Sequence, residues 1–196
     1  MTTVLLCGGK SVRMGRQKTE LPFGETTLLE HMVTLLGRMS EQLVVVVRPG
    51  QVIPELSDAV IVRDRVMERG PLGGMQSGLR AAGEYGEWAF VAACDLPFLT
   101  ARVTGMLSTV KDKRSDILCP HDGARAHPLS AFYRTDIVET IDAMLAEGDL
   151  RVRHLLCRHS TLYVDARDPH LRSCLENINT PDAYAQAKDR FARTID

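Results

Sequence analysis

The chain has 196 residues, 44% of them hydrophobic and 25% charged, with a formal net charge of −1. That composition suits one soluble globular domain spanning residues 1–196. The balanced charge excludes a global attraction to nucleic acid or to an anionic membrane, so any phosphate-binding charge has to be local. Cys7, Cys94, Cys119, Cys157 and Cys174 are widely spaced and form no C-x-x-C pair, which favours reduced thiols in a cytoplasmic protein over a disulfide framework. The opening MTTVLLCGG has no basic stretch and too short an apolar run for a signal peptide or a membrane span.

Strand-like runs alternate with helix-like segments. Val4 to Cys7 form a short apolar strand that stops at Gly8-Gly9, and Gly9-Lys10-Ser11-Val12-Arg13-Met14-Gly15 with Lys18 follow as a glycine-rich, cationic loop. Glycines let backbone N–H groups approach an anion, and arginine and lysine add charge suited to phosphate. Residues 26–39 carry Leu28, Leu29, Met32, Val33, Leu35, Leu36 and Met39 on one helical stripe. LVVVV at 43–47 has the continuous β-branched character of a parallel strand covered on both faces, and 59–62 is a further strand.

PLGGMQSGLRAA at 71–82 reads as a helix with proline in its first turn, and WAFVAAC at 88–94 as a buried strand ending at Asp95. Helices are expected over 101–111 and 135–147, and short strands over 116–119, 130–134 and 161–165. A last helix starts at Thr180-Pro181-Asp182. Alternation of this kind predicts an α/β fold, a three-layer sandwich around a mostly parallel central sheet. Ligands in such sheets bind beyond the carboxyl ends of the strands, where the Gly8–Lys18 loop and Asp95 both fall.

Three familiar nucleotide motifs fail. A P-loop needs a glycine five residues before Gly9, where Val4 stands. There is no Asn-Lys-x-Asp run and no G-x-G-x-x-G. The pattern present is Gly8-Gly9, Ser11, Arg13-Met14-Gly15 and Lys18 followed by LPFGETTLLEH, then Gly70-Pro71-Leu72-Gly73-Gly74-Met75, Cys94-Asp95-Leu96-Pro97, His127-Pro128 and Asn177-Ile178-Asn179-Thr180-Pro181. In this order the motifs resemble those of the molybdenum cofactor guanylyltransferase family, over about residues 4–185.

The resemblance implies a Rossmann-like nucleotidyltransferase fold, GTP and molybdopterin as substrates, and Mg²⁺ as cofactor. It also allows molybdoenzymes or cofactor-delivery proteins as partners. Leu6, Cys7, Gly8 and Gly9 would line the nucleotide, Arg13 would lie along the triphosphate, and Lys18 would contact the phosphates. Asp64 would match a nucleotide-contacting aspartate, Asp95 would bind Mg²⁺, and Asn179 would be a second contact at the metal. Gly70, Gly73 and His127 are candidates for substrate contact, against packing roles for the glycines and a structural role for the histidine. Cys7 stands where the family usually has alanine, and the stretch from Asp64 to Gly70 is about one residue shorter than the family pattern.

Two other functions fit parts of this pattern: a cytidylyltransferase acting on molybdopterin or on a sugar or polyol phosphate, and a non-catalytic nucleotide-binding adaptor that delivers cofactor. His154, Cys157 and His159 sit within six residues, but on a helix His159 would not share a face with the other two. RVRHLLCRH reads instead as a solvated basic face.

Overall fold

The computed structural model describes residues 1–8, 18–64, 69–110 and 114–195. Its strands are β1 (Thr2–Leu6), β2 (Pro22–Phe23), β3 (Thr26–Thr27), β4 (Gln42–Val47), β5 (Val60–Arg63), β6 (Trp88–Ala93), β7 (Ile117–His121), β8 (Ser130–Arg134) and β9 (Thr161–Asp165). Its helices are α1 (Leu28–Gly37), α2 (Gly70–Ala82), α3 (Ala101–Thr109), α4 (Val138–Ala146), α5 (Val152–Arg158), α6 (Pro169–Cys174) and α7 (Pro181–Ile195).

Seven strands form one sheet in the order β5-β4-β1-β6-β8-β7-β9, and β2 and β3 pair as a separate small hairpin. β5, β4, β1 and β6 are mutually parallel. β8 runs antiparallel to both β6 and β7, and β9 is parallel to β7. The sheet is therefore mostly parallel with β8 the reversed strand.

Strand residues alternate between two cores, as the period of two requires. Leu5, Leu43, Val45, Val47 and Phe90 face the side built by α1, α3, α6 and α7. Val4, Leu6, Val44, Val46, Ala89 and Val91 face the side built by α2, α4 and α5. β1, β4 and β6 are covered on both faces, which is why Val4–Leu6, Leu43–Val47 and Trp88–Ala93 read as apolar runs without alternation. α5 is amphipathic rather than wholly solvated: Leu155 and Leu156 are buried while Arg153 and Arg158 stay outside.

Thr27 closes the start of α1 with a capping box. Its hydroxyl accepts from the Glu30 N–H at 3.3 Å, and its own N–H donates to Glu30 Oε2 at 2.8 Å. From α1, His31 Nε2 reaches the Pro97 carbonyl at 2.8 Å, tying this helix to the turn that follows β6.

α2 lies unusually close to the sheet. A Cβ at Gly78 would fall 2.4 Å from Val4 Cγ1 and 2.9 Å from Val46 Cγ2. Gly78→Ala should therefore lower stability by about 1–3 kcal/mol through overpacking, read as a lower urea or thermal midpoint. An unchanged midpoint would contradict the close approach.

Candidate active site

The four parallel strands of one half of the sheet end at a common edge. Gly8 follows Cys7 after β1, Arg48 follows β4, Asp64 follows β5 and Asp95 lies two residues past β6. Across the edge the order is Asp64, Arg48, Gly8, Asp95, with neighbouring strands about 4.8 Å apart. β1 pairs with β4 on one side and β6 on the other. The chain first builds outward to β5 and then returns to the other side of β1, which makes a switch point there.

The strand ladder continues slightly past β1. The Cys7 N–H donates to the Val46 carbonyl at 2.8 Å, and the Cys94 N–H to the Leu6 carbonyl at 3.1 Å. Those polar groups of Leu6 and Cys7 are committed to the sheet, and Gly8 is the next residue on the path out. Burial, with hydrogen bonding and charge from Cys94 second, pushes the Cys7 thiol well above its ordinary range, so it is a neutral packing group. Gly9 and Arg13 lie outside the described residues. Lys18 opens a short 3₁₀ turn, Lys18–Glu20.

Arg48 is a cation at this edge that motif reading passed over. A Cβ at Gly8 would stand 3.1 Å from Arg48 Cγ. The Arg48 N–H donates to Gln51 Oε1 at 3.1 Å, and buried Gln51 donates from Nε2 to Thr19 Oγ1 at 3.0 Å. The turn carrying Arg48 is thus fastened to the residue after Lys18. A basic residue at the end of a strand reading LVVVV was the available signal.

Asp64 is fixed by its N–H to the Val47 carbonyl at 2.8 Å and by the Ser77 hydroxyl donating to Oδ1 at 3.2 Å. Gly73 lets the first turn of α2 approach it, since a Cβ there would lie 3.2 Å from Asp64 Oδ2 and 2.9 Å from Arg69 Cβ. Gly70 begins α2 in the left-handed region at φ 59°, a backbone conformation that favours glycine.

Asp95 is half-buried, and Asn177 Nδ2 donates to its Oδ1 at 2.9 Å. The Ile178 N–H donates to the Asp95 carbonyl at 2.9 Å. Asn177 is the partner that sequence reading missed: Asn177 and Asn179 flank the buried Ile178, and only the fold reveals which one meets this carboxylate. Asn179 is exposed at the entry to α7.

His127 is buried, and its Nε2 lies 2.8 Å from Asp122 Oδ2. Asp122 Oδ1 also accepts from the N–H groups of Ala124 at 2.8 Å and Arg125 at 2.9 Å. The His-Pro pair therefore braces the 122–127 turn. His154 and His159 are held by separate carboxylates, Asp149 at 2.6 Å and Asp116 at 3.3 Å. Among the described residues no cluster of three or more His, Cys, Asp or Glu forms a metal site.

The sequence profile of the MobA-like NTP transferase domain matches residues 3–162. The chain belongs to this family. A probable molybdenum cofactor guanylyltransferase of Mycobacterium avium is 40% identical over 198 residues, covering 94% of this chain and 95% of that protein. One from Mycobacterium marinum is 38% identical over 181 residues, covering 90% and 88%. The crystal structure of molybdopterin-guanine dinucleotide biosynthesis protein A from Archaeoglobus fulgidus superposes with a TM-score of 0.81 at 22% identity, covering 98% of this chain and 100% of that one. At that identity the superposition speaks for a shared fold.

The Asp122–His127 pair gives this MobA-like domain an acid-sensitive brace. Hydrogen bonds from the Arg125 N–H, His127 and the Ala124 N–H hold the Asp122 carboxyl well below its ordinary range. Burial lowers His127, outweighing the upward pull of Asp122. Both groups bind fewer protons folded than unfolded, so stability is lost as the pH drops, for His127 starting near its unfolded pKa of about 6.5 and for Asp122 below about 3.9. The urea midpoint should decline from pH 7 to pH 5, and His127→Gln should shrink that decline. An identical pH slope in the variant would contradict the assignment.

Proposed function

We propose that the chain, acting as one domain, transfers GMP from GTP to the terminal phosphate of molybdopterin and releases pyrophosphate. The observation that carries this reading is the position of Asp95, two residues past β6, the strand that pairs with β1 and so ends beside Gly8. The names of the relatives at 38–40% identity support the guanine nucleotide and the pterin acceptor.

The reaction forms a bond between an acceptor phosphate oxygen and the α-phosphorus of GTP and breaks the α–β phosphoanhydride. The acceptor phosphate is already largely ionised near pH 7, so no protein nucleophile or general base is required. The protein's task is alignment and charge neutralisation. In this reading the backbone from Leu6 to Gly9 lines the nucleotide, Arg13 and Lys18 attend its phosphates, and Asp64 holds the nucleoside from the β5 side. Gly70 and Gly73 keep the start of α2 open to substrate, and His127 acts on substrate through the turn it braces.

The donors near Asp95 suit Mg²⁺. The Asp95 carboxylate is an oxygen ligand of the kind this ion prefers, and the Asn177 amide orients it by donating from Nδ2 to Oδ1. Asp95 would hold the ion with Asn179 nearby, and the bound ion would neutralise charge on the phosphates and the leaving pyrophosphate. A cytoplasmic setting is supported by five free cysteines, four of them buried, and among the described residues no helix is long and apolar enough to cross a membrane. Molybdoenzymes or a delivery protein would receive the product.

Pyrophosphate release measured with molybdopterin and each of the four nucleoside triphosphates should be fastest with GTP and depend on Mg²⁺. A preference for CTP would contradict the guanylyltransferase reading and favour a cytidylyltransferase. No turnover with any triphosphate would favour a binding adaptor. Asp95→Ala should lower kcat by about 10²–10³-fold with unchanged circular dichroism, and Lys18→Ala should impair use of the triphosphate. Wild-type turnover in the Asp95 variant would remove that residue from the mechanism.

A further inference from the structure

One short turn holds both ends of the Gly8–Lys18 loop. Arg48-Pro49-Gly50-Gln51 follows β4 and is closed by two hydrogen bonds. The Gln51 N–H donates to the Arg48 carbonyl at 3.2 Å, and the Arg48 N–H donates to Gln51 Oε1 at 3.1 Å. Proline in second place and Gly50 at φ 71° in third are the residues that a type II turn calls for. Gly8 meets the first residue of this turn, since a Cβ there would stand 3.1 Å from Arg48 Cγ. Thr19, one residue past Lys18, meets the last: Gln51 Nε2 donates to Thr19 Oγ1 at 3.0 Å.

Thr19 and Gln51 are each only 5% exposed, so the contact between them is shielded from competing water. They lie 32 residues apart in the chain, and the amide of one joins the hydroxyl of the other across that distance. The Gln51 carbonyl also accepts from Arg63 Nη1 at 3.2 Å, which brings the end of β5 to the same residue. Gln51 is thus held from β4 and from β5 before it reaches Thr19, and it is the fixed partner of the pair. An apolar side chain would serve for packing alone at this depth. A buried amide bonded at both its oxygen and its nitrogen fixes direction as well as distance.

We propose that Gln51 is a positioning residue for the triphosphate, acting through Thr19 on Lys18. It works on the substrate only by way of the lysine. By fixing the chain at Thr19 it sets the point from which the lysine stem starts, and an ammonium on a flexible stem is placed only as well as that starting point. Holding both ends of the loop on one turn also removes freedom that binding would otherwise have to remove. The tie therefore strengthens binding of the phosphates and not of the nucleoside. It rests on the reading above that Lys18 attends the phosphates, and it is independent of which base or acceptor is used.

Wild type, Gln51→Leu, Thr19→Val, Thr19→Ser, Lys18→Ala and the double variant of Lys18→Ala with Gln51→Leu separate this role from a structural one. The readouts are equilibrium binding of Mg-GTP and of guanosine, and steady-state kinetics with GTP and molybdopterin, all taken well below each variant's thermal midpoint. Gln51→Leu and Thr19→Val should each raise Kd and KM for GTP by about 5–30-fold, the range expected when a buried hydrogen bond loses one partner. Guanosine binding and KM for molybdopterin should stay within about twofold of wild type. Thr19→Ser keeps the hydroxyl and should keep wild-type affinity. In the Lys18→Ala background, Gln51→Leu should add less than about twofold, because the group it positions is gone.

Wild-type affinity for GTP in folded Gln51→Leu would overturn the proposal, and Thr19→Val decides it in the same way if Gln51→Leu fails to fold. So would equal weakening of guanosine and GTP, the mark of a general structural loss. A full Gln51→Leu effect in the Lys18→Ala background would also overturn it, by placing the action of the tie elsewhere. If wild type prefers CTP and CTP shows the same Lys18-dependent pattern, the tie stands and the guanylyltransferase reading falls. If transfer from GTP is intact and indifferent to Gln51, only the positioning role falls.

Discussion

The parallel pairing of β1 with β6 is the constraint on which the rest of this site depends. Leu6 sits opposite Ala93 in that ladder, and the Cys94 N–H closes on the Leu6 carbonyl at 3.1 Å. Two segments separated by most of a hundred residues thereby leave the sheet side by side, one at Gly8 and one at Asp95. The pairing is held by burial on both faces: Val4, Leu5, Phe90 and Val91 are fully buried, each contributing on the order of 1.5–3 kcal/mol relative to exposure. A protein with no net attraction for anions can in this way concentrate its useful charge at one edge.

That edge is asymmetric about Asp95. On the β1, β4 and β5 side the chain supplies backbone, Arg48 and Asp64, with α2 drawn in close by Gly73 and Gly78. On the other side it supplies the braced 122–127 turn and the start of α7. Cross-ties join the halves: His31 of α1 reaches Pro97, and Asn177 meets Asp95 from the segment before α7. The aromatic cluster of Phe23, His31, Phe98 and Phe191 packs under the same turn. Precision at Asp95 therefore comes from rigid neighbours on three elements, and a transfer that relies on alignment needs that rigidity.

The elements legible in the sequence were those whose environment imposes a strong pattern. LVVVV and WAFVAAC had to be doubly covered strands, and the 130–134 and 161–165 strands emerge with those bounds. The reversal of β8 was not legible, because strand direction is decided by the connection and the neighbours rather than by side-chain alternation. β2 and β3 are two residues each, too short for any period to register. α5 looked like a basic solvated stretch because Arg153 and Arg158, with Arg151 just before the helix, mask a two-leucine anchor. In the site, Asp95, Asp64 and the glycine step stood out as strand-end residues. Asn177 and Arg48 did not, since their meaning comes from what lies across the edge from them.

The most direct test is a structure of the protein with Mg²⁺ and the α,β-methylene analogue of GTP, in which the bond that would break cannot. The account predicts the guanosine on the β1–β4 side, beside Leu6 to Gly8, with the α-phosphate facing Asp95. Nucleotide lying on the β8 side of β6, with Asp95 away from the phosphates, would contradict it.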